Sequence, residues 1–287
     1  MKHGIKSVGI VGLGLMGGSF GRALVKRGYK VYAFDKDQDA LLKGELMLAY
    51  GEVLTEKNAK DVDLLIAAVN PAVFESAISP FLPHLKSGAI VSDFCGVKRP
   101  IVSAMEKLKD KYKNLVFIGG HPMAGREFSG IEHSSINLFE KASMILVPVK
   151  SDIFKTEELK NFYLSMDFGR VVITDAVHHD EVIAYTSQLC HIVSNAFIKN
   201  EQAKNRSGYS AGSFKDLTRV ARMNPDMWTE LILLNADNAL TEIDELINNL
   251  SLYKKAIEDK DGNTLRTLFK EGNDRKIKIE SEKNADD

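Results

Sequence analysis

The fold of this chain is decided by the stretch Val8-Gly9-Ile10-Val11-Gly12-Leu13-Gly14-Leu15-Met16-Gly17-Gly18. Its first four residues form a short apolar run, which is typical of a buried strand. The glycines that follow have the spacing G-x-G-x-x-G, and residues 19–27 suit a helix. A second apolar run, 31–34, ends in Asp35. The pattern predicts a strand, a tight turn, a helix and a second strand in that order.

Each glycine of the turn has a physical reason to be there. Gly12 permits the tight turn, Gly14 lets the backbone approach a pyrophosphate, and Gly17 lets the helix pack closely on the strands. Free N–H groups at the start of the helix attract phosphate charge. Asp35 lies 23 positions after Gly12, where its carboxylate can accept hydrogen bonds from a ribose 2′-OH and would repel a 2′-phosphate. The stretch predicts a dinucleotide site that favours NAD over NADP.

The predicted cofactor contacts extend to the ends of neighbouring strands. Residues 64–69 form another buried strand, which Asn70-Pro71 breaks. A turn just past the carboxyl end of such a strand is where an open α/β sheet binds ligands. The residues predicted to contact the cofactor are Gly12, Leu13, Gly14, Leu15, Met16, Gly17, Asp35, Val69, Asn70, Pro71 and Asp93.

The composition bounds what else the chain can be. A length of 287 residues suggests about two domains, and a hydrophobic content of 44% allows both to bury a core. The net charge of −1 gives no sign of a nucleic-acid or membrane surface. Cys95 and Cys190 cannot make a disulfide framework, and the first strand begins within a few residues of Met1. We therefore expect no secretory leader and a cytoplasmic location.

The secondary-structure pattern changes character near residue 175. Up to Ile173, strands and helices alternate, which predicts an α/β domain, residues 1–174, with a doubly wound, mostly parallel sheet. From there the pattern is helical throughout, including one very long amphipathic segment over 225–257. We expect an all-α domain over 175–287, and apolar helices of this length favour a partner subunit that covers them.

His121 is the first candidate for chemistry. It follows a predicted strand within Gly119-Gly120-His121-Pro122-Met123-Ala124-Gly125. An imidazole held there could take a proton from a substrate hydroxyl while a hydride leaves for the nicotinamide. The alternative is a turn histidine that hydrogen-bonds to backbone.

The other histidines raise two further alternatives. His178, His179, Asp180 and His191 suggest a metal site, but the adjacent pair points apart on a helix and no H-x-x-x-H motif or cysteine pair completes it. We therefore predict no metal. His191 could face the cleft or could be a satisfied core or interface histidine.

Three more side chains have a functional and a structural interpretation. Asp216 and Arg219 could form a solvated i,i+3 ion pair, or Arg219 could hold a substrate carboxylate. Trp228 could be a core residue or a ligand contact, and tryptophans are more often core residues. Cys95 has no histidine close in sequence, so a small buried thiol is expected rather than a nucleophile.

These residues together resemble the prephenate dehydrogenase family of tyrosine biosynthesis, which includes arogenate dehydrogenases. The His-Pro-Met-Ala-Gly and Asp-x-x-Thr-Arg blocks are its most specific motifs. The matching segments span nearly the whole chain: Gly12–Gly17 with Asp35, Asp93–Lys98, Gly119–Gly125 with Glu127 and Gly130, His178–Asp180, Ser187–His191, Asp216–Arg219, Asn224–Trp228 and Leu268–Arg275.

The resemblance implies a fold, a reaction and residue roles. It implies a Rossmann domain followed by a helical domain that forms a homodimer, and oxidative decarboxylation of prephenate to 4-hydroxyphenylpyruvate with NAD. His121 would act as the base, and Arg219 would bind a substrate carboxylate. Asp216 would act from the partner subunit and His191 would line the cleft. Gly212 and Trp228 match further substrate-binding positions.

Two positions depart from the family pattern. Many members have Ser where Gly96 stands and His where Gln188 stands; both positions are still predicted to contact substrate. Arogenate, the aminated substrate, is the nearest alternative. A β-hydroxyacid dehydrogenase would predict a lysine within 177–191, which contains none. A non-enzymatic sensor would predict a degraded cleft, which His121 and Arg219 argue against.

Overall fold

A computed structural model of the chain describes residues 3–126, 128–150 and 153–286, with side chains up to residue 282. The strands are β1 Ser7–Val11, β2 Lys30–Phe34, β3 Glu52–Val53, β4 Leu64–Ala67, β5 Ile90–Asp93, β6 Val116–Pro122, β7 Ser143–Val149 and β8 Arg170–Ile173. The helices are α1 Leu15–Lys26, α2 Gln38–Leu46, α3 Phe74–Ile78, α4 Arg99–Lys111, α5 Ile153–Ser165, α6 Ala176–Ile183, α7 Cys190–Ile198, α8 Gly212–Thr218, α9 Pro225–Leu233, α10 Ala236–Glu258 and α11 Gly262–Asp286.

The strands form one sheet in the order β3-β2-β1-β4-β5-β6-β7-β8. Every neighbouring pair is parallel except β6 and β7, which are antiparallel. The prediction of a doubly wound, mostly parallel sheet is therefore confirmed. The chain order reverses between β1 and β4, and ligands of such sheets bind in the crevice at the carboxyl ends of the strands beside this point.

Both faces of the sheet are covered, which explains why its central strands read as continuous apolar runs. Along β4, Leu64 and Ile66 belong to one buried cluster, while Leu65 and Ala67 belong to another. The first cluster includes Phe20 of α1, whose ring packs edge-on against aromatic neighbours. This double burial fixes the strand ends, and with them the loops that carry the candidate site.

From Ala176 onwards the described chain is helical, as the sequence predicted. Helices α6 and α7 are joined without a break, because residues Ala184–Leu189 form a π-helical stretch between them. The amphipathic segment over 225–257 is not one unbroken helix, because α9 ends at Leu233 and α10 begins at Ala236. Asn235 is fully buried at this break.

The chain forms two compact units, one up to Ala236 and one from Asp237. The predicted domain boundary at 174/175 follows the change in sequence pattern and stays a prediction. In the second unit, Tyr253 of α10 packs on Phe269 of α11, with ring centroids 5.3 Å apart, and its hydroxyl donates to the Leu268 carbonyl. Within the described residues, no helix has both the length and the apolar character needed to cross a membrane.

Candidate active site

The glycine turn after β1 contains two glycines that the fold requires and a third that borders open space. Gly12 has φ +98°, and a Cβ there would lie 2.5 Å from the Ala68 carbonyl oxygen. A Cβ on Gly17 would lie 1.9 Å from the Gly12 carbonyl oxygen. Around the Cβ position of Gly14 no atom lies within 4 Å. The chain can therefore approach a ligand closely at Gly14, beside the N-terminus of α1.

Asp35 connects the end of β2 to this turn. Its carboxylate accepts hydrogen bonds from the Leu13 N–H at 2.6 Å and the Asp37 N–H at 2.9 Å. Leu15 and Met16 form the half-buried first turn of α1. The turn, the N–H groups that begin α1 and the acid at the end of β2 are the arrangement expected for a dinucleotide.

The loop after β4 forms the opposite side of the crevice. Val69 lies against the turn, since its Cγ1 would be 2.8 Å from a Cβ on Gly12. Asn70 and Pro71 follow, and the Ala72 N–H donates to Glu230 of α9 at 2.6 Å. Glu230 thus ties α9 to the loop that is predicted to contact the cofactor.

Asp93 occupies a different environment from the other predicted cofactor contacts. Its carboxylate is fully buried and accepts hydrogen bonds from the N–H groups of Cys95 and Gly120, at 2.8 and 2.9 Å. The fully buried Lys98 ammonium also contacts it. The side chain therefore holds the loop after β5 to the end of strand β6 rather than presenting its carboxylate to a ligand. Cys95 is a buried thiol, as predicted.

His121 lies at the carboxyl end of β6 and begins a chain of hydrogen bonds. Its Nδ1 is 2.9 Å from Nε2 of His179, and Nδ1 of His179 is 2.7 Å from Oδ1 of Asp180. Asp180 also accepts from the N–H groups of Lys98 and Arg99, at 2.7 and 2.9 Å. This network joins β6, the start of α4 and the first turns of α6. It is half-buried at His121 and closed to solvent at His179 and Asp180.

The surroundings hold these groups in defined charge states. Burial, followed by the repulsion that a protonated His179 and the Lys98 ammonium would exert, holds the pKa of His121 well below the ordinary 6.5. Burial also lowers the pKa of His179, and its hydrogen bond to Asp180 opposes that shift only in part. Burial opposes ionisation of Asp180, but the hydrogen bonds from His179 and the two backbone N–H groups outweigh it and lower the pKa of the carboxyl. The arrangement favours neutral imidazoles beside an ionised carboxylate near pH 7.

Gly96 and Gln188, the two departures from the family pattern, lie in different places. A Cβ on Gly96 would be 3.9 Å from Nε2 of His121 and 3.4 Å from the Leu231 methyl groups, so Gly96 borders the imidazole. Gln188 is buried. Its amide donates to the Leu231 carbonyl at 3.1 Å and accepts from Asn235 at 2.9 Å. Its side chain therefore supports the helices instead of reaching into open space.

The remaining predicted substrate contacts lie further along the helices. His191 stacks on Trp228 with ring centroids 3.8 Å apart, and its Nδ1 is 2.9 Å from the Ser187 carbonyl oxygen. Both rings are half-buried. Gly212, Asp216 and Arg219 are exposed along α8 and the turn that follows it. Glu127 lies outside the described residues.

The comparisons with known proteins agree with this geometry. The sequence model for the nucleotide-binding domain of prephenate dehydrogenase matches residues 20–173, and the model for its dimerization domain matches residues 175–271. The chain belongs to the prephenate dehydrogenase family.

Individual members of the prephenate dehydrogenase family resemble the chain over most of its length. Cyclohexadienyl dehydrogenase of Zymomonas mobilis is 30% identical over 96% of this chain and 97% of the relative. Prephenate dehydrogenase of Lactococcus lactis is 28% identical over 98% and 79% of the two chains. A crystal structure of Aquifex aeolicus prephenate dehydrogenase in complex with hydroxyphenyl propionate and NAD⁺ has a TM-score of 0.82 and 28% identity, covering 97% of this chain and 100% of that one.

Several side chains near His121 could not be identified as functional from the sequence. From the sequence, His179 and Asp180 are candidates only for a metal site and as part of a family motif, and Asn235 is not a candidate. Asn235 donates to the Asp180 carbonyl at 2.8 Å and accepts from Arg99 at 2.7 Å. A polar residue inside an apolar helical repeat was the available signal. His178 is exposed beside Glu181, and the described residues contain no cluster arranged to hold a metal ion.

Proposed function

We propose that the protein is an NAD-dependent prephenate dehydrogenase, which converts prephenate to 4-hydroxyphenylpyruvate in tyrosine biosynthesis. The observation that carries the proposal is His121, an imidazole with a lowered pKa at the carboxyl end of β6, with Nε2 beside the small residue Gly96. A neutral imidazole in that position is suited to accept a proton at neutral pH. Membership of the prephenate dehydrogenase family supports the same reaction.

NAD is the cofactor that we propose. Gly12, Gly14 and the N-terminus of α1 would hold its pyrophosphate, and Asp35 would hold the adenosine ribose. The related Aquifex aeolicus enzyme is described in complex with NAD⁺. When bound, the nicotinamide supplies an acceptor for the hydride that leaves the substrate.

His121 would handle the substrate proton. As carbon C4 of prephenate loses its hydride, the C4 hydroxyl becomes a carbonyl and its proton passes to His121. Loss of the ring carboxylate as carbon dioxide then makes the ring aromatic, and the same proton can return to the phenolic oxygen. The products are 4-hydroxyphenylpyruvate, carbon dioxide and the reduced cofactor, and the new aromatic ring makes the step effectively irreversible.

The exposed α8 segment would hold the substrate carboxylate. Arg219 carries a guanidinium whose planar fork matches a carboxylate. We propose that Gly212 and Asp216 complete this region when two copies of the chain associate, with Asp216 acting from the partner subunit. His191 and Trp228 would line the substrate cleft.

We propose a homodimer that forms through the helical part of the chain. The matched dimerization-domain model covers residues 175–271. Leu240, Ile247 and Leu250 of α10 and Phe269 of α11 are all more than half exposed, and apolar side chains at such spacing suit a helical interface. We also propose a cytoplasmic location, since Cys95 and Cys190 are free thiols.

A paired substrate assay tests the function. The purified protein is incubated with NAD and either prephenate or arogenate, and NADH is followed by its absorbance. We expect reduction of NAD with prephenate; reduction with arogenate alone would shift the proposal to that substrate, and reduction with neither would refute it. The Zymomonas relative is described as a cyclohexadienyl dehydrogenase, so both substrates belong in the test. Equal use of NADP would contradict the role of Asp35.

A further inference from the structure

The hydrogen-bond chain behind His121 ends in a group that can only accept. Asp180 is ionised and fully buried, and its carboxylate already accepts hydrogen bonds from the N–H groups of Lys98 and Arg99. Its contact with Nδ1 of His179, at 2.7 Å, therefore requires a hydrogen on that nitrogen. The direction of this first hydrogen bond determines those that follow.

The tautomer of each imidazole follows from the one behind it. A neutral His179 with hydrogen on Nδ1 has a lone pair on Nε2. That nitrogen lies 2.9 Å from Nδ1 of His121, so His121 must donate through Nδ1. A neutral His121 then has its lone pair on Nε2, the nitrogen that borders Gly96.

We propose that His179 and Asp180 are positioning residues that fix the tautomer of His121 and make Nε2 the atom that accepts the substrate proton. This inference rests on the proposed function of His121 as the base, and it adds the means by which the correct nitrogen is presented. A histidine without this support could place its hydrogen on either nitrogen, and only one tautomer can accept a proton at Nε2.

The charged groups around His121 are compatible with this arrangement. On the sheet, Asp93 is paired with Lys98 from the start of α4. Arg99 contacts Asp180 through its N–H and through Nε, at 2.9 and 3.3 Å. Glu230, on α9 next to Leu231, accepts from a backbone N–H after β4. The negative charge that faces the histidine chain therefore comes from Asp180.

Asp180→Asn tests the direction of the hydrogen bonds while keeping the shape of the side chain. With its oxygen at the Oδ2 position, where it keeps both hydrogen bonds from Arg99, its N–H₂ group takes the Oδ1 position and can donate to Nδ1 of His179, which would move that ring's hydrogen to Nε2. His121 would then accept through Nδ1 and carry its hydrogen on Nε2, where it blocks proton transfer. We expect kcat to fall on the order of 10²–10⁴-fold, the scale seen when a triad histidine has the wrong tautomer or general base assistance is lost. The KM for NAD should stay near the wild-type value.

A pair of His179 variants provides a second route if Asp180→Asn does not fold. The amide of Gln can occupy the position of Nε2 and accept from His121, whereas the amide of Asn occupies the position of Nδ1 and reaches only Asp180. We expect His179→Gln to retain at least about tenfold more kcat than His179→Asn, which is part of the effect of a correctly placed base. His178→Asn, at the adjacent exposed histidine, is the matched control and should leave kcat unchanged. Equal loss in the two His179 variants would indicate a merely structural role and overturn the proposal.

Nitrogen NMR of histidine-labelled protein reports the tautomers without any substrate. We expect Nδ1–H at both His121 and His179 in the wild type, and Nε2–H at His121 in Asp180→Asn. Hydrogen on Nε2 of His121 in the wild type would overturn the proposal. Because this readout needs no turnover, it remains decisive if neither prephenate nor arogenate is oxidised, an outcome that would refute only the proposed function.

Discussion

Two regions that are predicted to serve one reaction differ sharply in how far the folded chain has prepared them. Around His121, the side chains of His179 and Asp180 are buried and hydrogen-bonded to one another, and the buried Lys98 ammonium is paired with Asp93. Along α8 and the turn after it, Gly212, Asp216 and Arg219 are exposed. The first region has its geometry before any ligand binds, while the second has room to rearrange.

The difference follows from what each region would have to do. A base must hold one nitrogen within hydrogen-bond reach of one proton, so a rigid and desolvated support is favoured. A carboxylate clamp gains most of its strength from charge-assisted hydrogen bonds that form only when the substrate is present. We therefore expect changes near His121 to affect turnover and changes near Arg219 to affect substrate affinity.

The largest effect is expected for His121→Asn. The amide keeps a polar group at the end of β6 but cannot accept a proton usefully, so kcat should fall on the order of 10²–10⁴-fold. His84→Asn, at an exposed histidine beside Glu56, is the control. In the wild type, the lowered pKa means that His121 binds a proton only well below pH 6.5. kcat/KM should therefore stay level as pH falls through 6.5 and decline only well below it. Near-normal turnover of His121→Asn would remove His121 from the base role.

A smaller effect, and of a different kind, is expected for Arg219→Ala. Loss of a charge-assisted hydrogen bond removes about 1.5–3 kcal/mol, so the KM for prephenate should rise roughly 10- to 100-fold. kcat should change much less. Lys215→Ala, one turn away on the exposed α8, is the matched control because it removes a positive charge outside the proposed clamp. An unchanged KM for Arg219→Ala would contradict the expectation that changes near Arg219 affect substrate affinity.

The smallest effects are expected at the glycine turn, where two substitutions should separate folding from binding. A Cβ on Gly17 meets the Gly12 backbone at 1.9 Å, so Gly17→Ala should destabilise the protein by about 1–3 kcal/mol, the usual range for overpacking. A Cβ on Gly14 meets nothing within 4 Å, so Gly14→Ala should leave the thermal midpoint unchanged and weaken NAD binding. Calorimetry and NAD titration of both variants would check this, and equal destabilisation would contradict it.

Most of the fold could be predicted because its signals are local. The glycine turn, the apolar strand runs and the change to helix near residue 175 each lie within short windows of sequence. The antiparallel direction of β7 could not be predicted, since the apolar pattern of a strand does not specify which way it runs. The position of the break at Asn235 could not be predicted either, because apolar spacing continues on both sides of it and the buried amide bonds to Asp180 and Gln188, which are far away in sequence.

The candidate site could be predicted only in part. His121 lies at the end of a strand and could be identified as a candidate from its position alone. Its partner His179 lies 58 positions away, so only the folded chain shows their contact. The two adjacent histidines also proved unequal, since His178 is exposed while His179 is enclosed. Helical spacing indicated that they point apart, but it could not indicate which of them faces inward.

The enclosed pair of Lys98 and Asp93 limits how this protein can change over time. Neither side chain has any exposed surface. Replacing either one would leave its partner's charge buried and unpaired, which lowers the free energy of unfolding by about 3–5 kcal/mol. Single substitutions at these positions should therefore be rare among viable descendants, whereas exchange of both residues for well-packed neutral ones remains physically open. We therefore expect Asp93 and Lys98 to be retained together during evolution, while residues around them change.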